Sequence, residues 1–121
     1  MQLSTFRPVE SRSDNRYVFC QKARLDIGEY LLPIRTVDIS AEGFGILSPE
    51  PIRSDKACIM HFSTYLGNRI VHLQLACTST YCILNGLAGY RIGLSLTAPS
   101  ADETASLHAL IKRRATLSKT A

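Results

Sequence analysis

Short stretches in which apolar and polar residues alternate run through most of the chain, separated by turn-forming residues. Alternation with a period of two is typical of half-buried strands. In Tyr17–Leu25, alternation places Phe19 and Leu25 on the same face of the predicted strand. The other predicted strands are Tyr30–Ile39, Phe44–Leu47, Cys58–Phe62, Arg69–Leu84 and Gly89–Leu96. Strands at this spacing predict an antiparallel sandwich or closed barrel over about residues 17–97.

The connections and the chain end differ from the strands. Asn85-Gly86 predicts a two-residue type I′ hairpin turn, because both residues accept positive φ. A C-terminal helix is predicted over about residues 101–114, where Ser100 and Glu103 form a capping box. Its apolar stripe is Leu107, Leu110 and Ile111, and Lys112–Arg114 suit the negative end of a helix. Residues 1–11 are polar and predict an irregular N-terminal arm.

Composition narrows the class of protein. A chain of 121 residues with a net charge of +4 is one globular domain, and duplex nucleic acid binding calls for a more strongly basic surface. The four cysteines form no Cys-x-x-Cys pair, so they are interpreted as small buried side chains and no metal or cofactor is expected. No apolar run is long enough for a membrane span or signal peptide, which predicts a cytoplasmic protein.

Two short polar motifs stand at defined places in this pattern. Arg12 and Arg16 form Arg-x-x-x-Arg directly before the first strand. Asp38, Ser40 and Gly43 form Asp-x-Ser-x-x-Gly at the turn between the second and third strands. The first motif alone does not indicate a function, because one such arginine pair is expected by chance. The residues of the second motif are also consistent with an ordinary β-turn. Their order, their separation and the flanking strands make the pair specific.

The ordered pair resembles the PilZ family of small β-barrel domains that bind cyclic di-GMP. The resemblance covers residues 12–121 and implies a six-stranded antiparallel barrel with a C-terminal α-helix across one opening. It also implies that Arg12, Arg16, Asp38 and Ser40 contact the ligand, while Gly43 shapes the turn. The chemistry is consistent, since an arginine fork can meet guanine O6 and N7 or a phosphate, and a carboxylate can accept guanine N–H groups.

Arg91 is a further candidate with two interpretations. Alternation places it opposite the apolar face of the last strand. It is either a solvated arginine on the barrel surface or part of the surface that binds the ligand.

These patterns lead to one principal functional hypothesis. The chain is expected to be a cyclic di-GMP receptor without catalytic activity, which signals by ordering residues 7–16 over the ligand and so altering its affinity for an unidentified downstream protein. The resemblance implies control of motility, biofilm or polysaccharide, and the protein is a monomer or a homodimer.

Three alternatives remain. A barrel of this kind can act as an adaptor through protein contacts alone, without nucleotide. A barrel that binds RNA or single-stranded DNA is disfavoured, because such surfaces use aromatic platforms and this chain has no tryptophan. An enzyme has the least support, since no serine lies in a nucleophile elbow.

Overall fold

The computed structural model describes residues 16–120, with side chains as far as residue 115. Within these residues, seven strands and one long helix follow each other. The strands are β1 (Tyr17–Val18), β2 (Lys22–Asp26), β3 (Leu31–Ile39), β4 (Gly43–Ser48), β5 (Ala57–Leu66), β6 (Arg69–Leu84) and β7 (Tyr90–Leu96). A short 3₁₀ helix (Gly86–Ala88) precedes β7, and the helix α1 is Ala101–Thr120.

Six of the strands close into a barrel in which every neighbouring pair is antiparallel. The order around the barrel is β2, β3, β4, β7, β6, β5 and back to β2. β1 is an extra strand that pairs with the end of β3, beyond β2. The predicted six-stranded antiparallel barrel with a C-terminal helix is therefore confirmed.

The core of the barrel is built around three phenylalanines. Phe19, Phe44 and Phe62 are buried, with ring centroids 5.7 to 6.3 Å apart. Tilted and edge-to-face contacts of this kind are favourable for aromatic rings. Leu107 and Leu110 of α1 are each 2% exposed and belong to the same core cluster, so the predicted apolar stripe packs on the barrel. Each buried leucine stabilises the fold by roughly 1.5–3 kcal/mol.

The helix begins where the sequence predicts and ends later. The backbone N–H of Ser100 donates to Glu103 Oε1 at 2.9 Å, and that of Glu103 donates to Ser100 Oγ at 3.1 Å, which confirms the capping box. Because α1 continues to Thr120, the prediction that Lys112–Arg114 lie at its C-terminal end is wrong. Arg114 instead donates from Nε to Val18 O at 3.1 Å, and thereby ties α1 to β1.

The predicted strand Tyr17–Leu25 is interrupted between β1 and β2. Val18 pairs with Asp38, but Lys22 pairs with Arg35, so this segment has one residue more than the facing part of β3. The Thr36 hydroxyl donates to the Phe19 carbonyl at 2.6 Å and stabilises the interruption. An extra residue on one strand is a β-bulge, which alternation alone does not reveal.

The predicted type I′ turn at Asn85-Gly86 is wrong. The register pairs Leu84 with Tyr90, which leaves a longer loop. Asn85 has φ −119°, and the positive φ values fall on Gly86 (59°) and Gly89 (97°). The 3₁₀ turn between these glycines replaces the tight hairpin.

Candidate functional site

A second β-bulge directs Asp38 to the outside of the barrel. Thr36 pairs with Ile46, but Asp38 pairs with Gly45, so Val37 is the extra residue of β3. Without the bulge, alternation would place Asp38 on the inner face next to the buried Thr36. The bulge therefore presents the carboxylate on the outer face and lets Ile39 return to the core, where it is fully buried.

The carboxylate of Asp38 holds two arginines. Its Oδ1 accepts from Nε and Nη2 of Arg16 at 3.0 and 2.6 Å, and from the backbone N–H of Gly45 at 3.0 Å. Its Oδ2 accepts from Nη2 of Arg91 at 2.7 Å. Each carboxylate oxygen offers about two lone-pair positions, so Oδ1 is fully used and Oδ2 retains one free acceptor position. Two guanidinium groups are thus fixed side by side around one negative charge.

The turn between β3 and β4 supplies the next polar group. The backbone N–H of Ser40 donates to Gly43 O at 2.9 Å, which closes a two-residue loop of Ala41 and Glu42. The hydroxyl oxygen of Ser40 accepts from Nη1 of Arg16 at 3.2 Å and from the backbone N–H of Glu42 at 3.3 Å. Arg16, Asp38, Ser40 and Arg91 are called the Asp38 cluster below.

Gly43 shapes this turn by allowing β4 and β7 to approach closely. A Cβ atom added to Gly43 would lie 1.9 Å from the carbonyl oxygen of Leu94, a distance that no side chain tolerates. Only glycine permits this pairing of β4 with β7. Gly43 therefore supports the shape of the site and contributes no side chain to it.

Two further glycines form a flat floor beside Asp38. Gly45 and Gly93 are directly paired on β4 and β7. A Cβ on Gly45 would lie 2.7 Å from Asp38 Oδ1, and one on Gly93 would lie 2.3 Å from Cε2 of Tyr81. The carboxylate and the tyrosine ring therefore lie directly against bare backbone. Sequence reasoning missed this floor, although glycine inside a strand is a recognised sign of close approach.

The structure brings together four of the six predicted site residues, with Arg16, Asp38 and Arg91 at the outer surface and Ser40 buried beside them. Arg91 forms an ion pair with Asp38, and the Nε of Arg91 is buried without a hydrogen-bond partner among the described residues. Its role in ligand binding stays a prediction. Gly43 lies beneath these four residues. Arg12 lies outside the described residues, so its predicted contact stays a prediction.

The cluster suits an anion with planar groups. Each guanidinium carries N–H groups beyond those bonded to Asp38 and Ser40, and these match phosphate oxygens or the acceptor edge of a base. Within the described chain, no group of three or more side chains is arranged to hold a metal ion. Nor does that part of the chain include a helix of the length and apolar character that a bilayer requires.

Solved structures with the same architecture identify the fold. The PilZ domain of YcgR from Escherichia coli, solved with c-di-GMP, superposes with a TM-score of 0.67 over 92% of this chain and 96% of that one, at 12% identity. The barrel has the PilZ fold. No protein-family model matches the sequence, and no curated protein matches it either.

Two longer proteins share the fold. The Bacillus subtilis inhibitor of motility MotI/DgrA gives a TM-score of 0.71 at 11% identity over 87% of this chain. The K. pneumonia MrkH–c-di-GMP complex gives 0.72 at 14% identity over 93%. This chain spans 52% and 56% of those two proteins, about half of their length. At these identities the likeness establishes the fold.

Proposed function

We propose that this protein is a receptor for cyclic di-GMP and that the ligand binds at the Asp38 cluster. The observation that carries the proposal is the placement of Arg16 and Arg91 on one carboxylate beside Ser40. Two structures of similar fold, those of YcgR and MrkH, contain c-di-GMP. The role is binding without catalysis.

In this proposal Asp38 acts first by orienting the two arginines. Oδ1 already accepts three hydrogen bonds, whereas Oδ2 accepts one, so a guanine N–H group can reach the carboxylate only at Oδ2 unless Arg16 turns away. The remaining N–H groups of the guanidiniums meet the ligand phosphates or guanine O6 and N7. The glycine floor lets the Asp38 carboxylate and the Tyr81 ring lie directly against the backbone, which fixes the position from which Asp38 holds the arginines.

The N-terminal motif extends the site. Covalent geometry keeps the Cα of Arg12 within about 14 Å of that of Arg16, so both arginines can reach one ligand. We propose that binding draws residues 7–16 onto the ligand and changes the surface offered to a downstream protein. Motility is a reasonable output, since one protein of this fold is an inhibitor of motility. The four free cysteines support a cytoplasmic setting.

Titration calorimetry with cyclic di-GMP tests the proposal. Arg16→Ala removes three hydrogen bonds of the cluster, and we expect it to weaken binding at least about tenfold, or ~1.4 kcal/mol. Arg69→Ala is the matched control, because it removes the same charge from the exposed first residue of β6 and should leave the affinity unchanged. A folded wild-type protein that gives no heat of binding would favour the adaptor alternative.

A further inference from the structure

A groove crosses the outer face of β2, β3 and β5 and extends to Leu47 of β4, which is paired with Arg91 of the Asp38 cluster. It has a volume of about 800 Å³. Its basic side chains are Lys22, Arg24, Arg35 and His61, here called the basic groove. In the strand register Lys22 lies opposite Arg35, and Arg24 lies opposite His61. The four side chains therefore occupy adjacent positions on three neighbouring strands.

The charges of the basic groove are not balanced by the described residues. The ion pairs in that part of the chain are Arg16–Asp38, Arg91–Asp38 and Lys56–Glu29, and none of them includes Lys22, Arg24 or Arg35. Like charges directly opposite each other on paired strands destabilise a sheet. The pairing of Lys22 with Arg35 is therefore an unfavourable arrangement that an anion between them would relieve.

His61 gives an independent indication of a ligand. Its Nε2 is buried and has no hydrogen-bond partner among the described residues, although the side chain lines the groove. A buried polar atom without a partner costs free energy, and such atoms are uncommon in folded proteins. Because protein atoms cover this nitrogen, it can donate to an oxyanion only if the imidazole turns towards the groove. There the charge of Arg24, which is paired with His61, would also attract the oxyanion.

We propose that the basic groove is a second anion site, which binds a small molecule carrying two or more phosphate groups. The volume lies in the range of small-molecule pockets. Three neighbouring strands span about 10 Å, so the four basic groups match a compact polyphosphate better than a long polymer. Pro33, Leu47 and Pro49 also line the groove and provide apolar contact for the rest of such a molecule. The basic groove borders the Asp38 cluster, because Arg35 and Arg91 are both paired with Leu47 and therefore lie about 10 Å apart on one face. The proposal of a separate site therefore depends on different effects of the Arg16 and the Lys22/Arg35 substitutions.

Inorganic pyrophosphate is a suitable probe for the full chain at constant ionic strength. We expect a saturable shift of the His61 imidazole nitrogens in long-range ¹H–¹⁵N correlation spectra, with His72 and His108 unaffected. The double variant Lys22→Gln/Arg35→Gln should weaken binding at least tenfold. Arg69→Gln, matched for charge at the exposed first residue of β6, should not change it. These residues are exposed, and the thermal denaturation midpoint checks that each variant is folded.

Three outcomes would overturn the proposal. The first is a response to pyrophosphate that does not saturate or that is equal at all three histidines. The second is loss of binding in Arg16→Ala with retention in the double variant, which would place the probe at the Asp38 cluster. The third is tighter binding of a hexaglutamate peptide than of pyrophosphate at the basic groove, which would make it a docking surface for an acidic protein segment.

Discussion

The outer face of the barrel carries two groups of basic side chains, and they differ in how their charges are held. In the Asp38 cluster a carboxylate lies between Arg16 and Arg91 and bonds to both. In the basic groove Lys22, Arg24 and Arg35 have no carboxylate partner among the described residues. The cluster has the lower net charge and the more defined geometry. On our proposal for the Asp38 cluster, the orientation of the arginines, rather than charge alone, distinguishes the cyclic di-GMP site from the basic groove.

Removing Asp38 tests that difference most strongly. If Asp38 orients the arginines, Asp38→Ala should weaken cyclic di-GMP binding roughly a hundredfold, since two charge-assisted pairs lose their acceptor. If charge alone mattered, the more positive surface would bind the anionic ligand more tightly. Calorimetry separates the two, and Asp102→Ala, which removes the same charge from α1, should leave the affinity unchanged.

Gly45→Ala changes the position of the carboxylate without changing any charge. Its new Cβ would lie 2.7 Å from Asp38 Oδ1, so the carboxylate and both arginines must shift. We expect roughly tenfold weaker binding of cyclic di-GMP, because small displacements of binding groups are costly. Pyrophosphate binding at the basic groove serves as the internal control and should be unaffected. Equal loss at both sites would instead indicate a general disturbance of the barrel.

Salt should affect the two surfaces unequally. The exposed cations of the basic groove act through solvent, where ionic screening is strong, whereas the Asp38 cluster relies on short hydrogen bonds. Between about 50 mM and about 500 mM salt, we expect pyrophosphate affinity to fall several-fold more than cyclic di-GMP affinity. Parallel titrations measure this, and equal slopes would contradict the distinction.

The smallest expected effect concerns the core beneath both surfaces. Burial raises the pKa of the Cys58 thiol from 9.0 to about 11 and that of Cys77 to about 12. In the unfolded chain these thiols ionise near pH 9, so the stability they contribute is complete below about pH 9 and is lost as pH rises towards about 12. Denaturant unfolding across this range should show the decline in the free energy of unfolding.

At neutral pH neither Cys58 nor Cys77 should react with a thiol reagent in the native protein, whereas the exposed Cys20 should react.

The architecture follows from local patterns that the sequence displays directly. The strand predicted between the turn residues Gly67-Asn68 and Asn85-Gly86 coincides with β6. Alternation placed Leu73 and Leu75 on one face, and both are buried. The capping box predicted the start of α1. Such features depend on residues close together in the chain, and their physical signals are strong.

The site depends on features that neighbouring residues do not encode. The outward direction of Asp38 arises from the bulge at Val37, and alternation gives no sign of an extra residue. The contact between Arg91 and Asp38 requires β3 and β7 to flank β4, which is a property of the barrel order. The role of Gly45 and Gly93 likewise appears only when the strands are paired. The motifs named Arg16, Asp38 and Ser40, but their mutual contacts needed the fold.

The most direct test of the central claim is a crystal structure of the protein with cyclic di-GMP. We predict that the ligand lies on the Asp38 cluster, with guanidinium N–H groups of Arg16 and Arg91 on its phosphates or guanine acceptors. A ligand bound elsewhere on the barrel, with the hydrogen bonds of Arg16 and Arg91 to Asp38 unchanged and no contact to either arginine, would contradict the account.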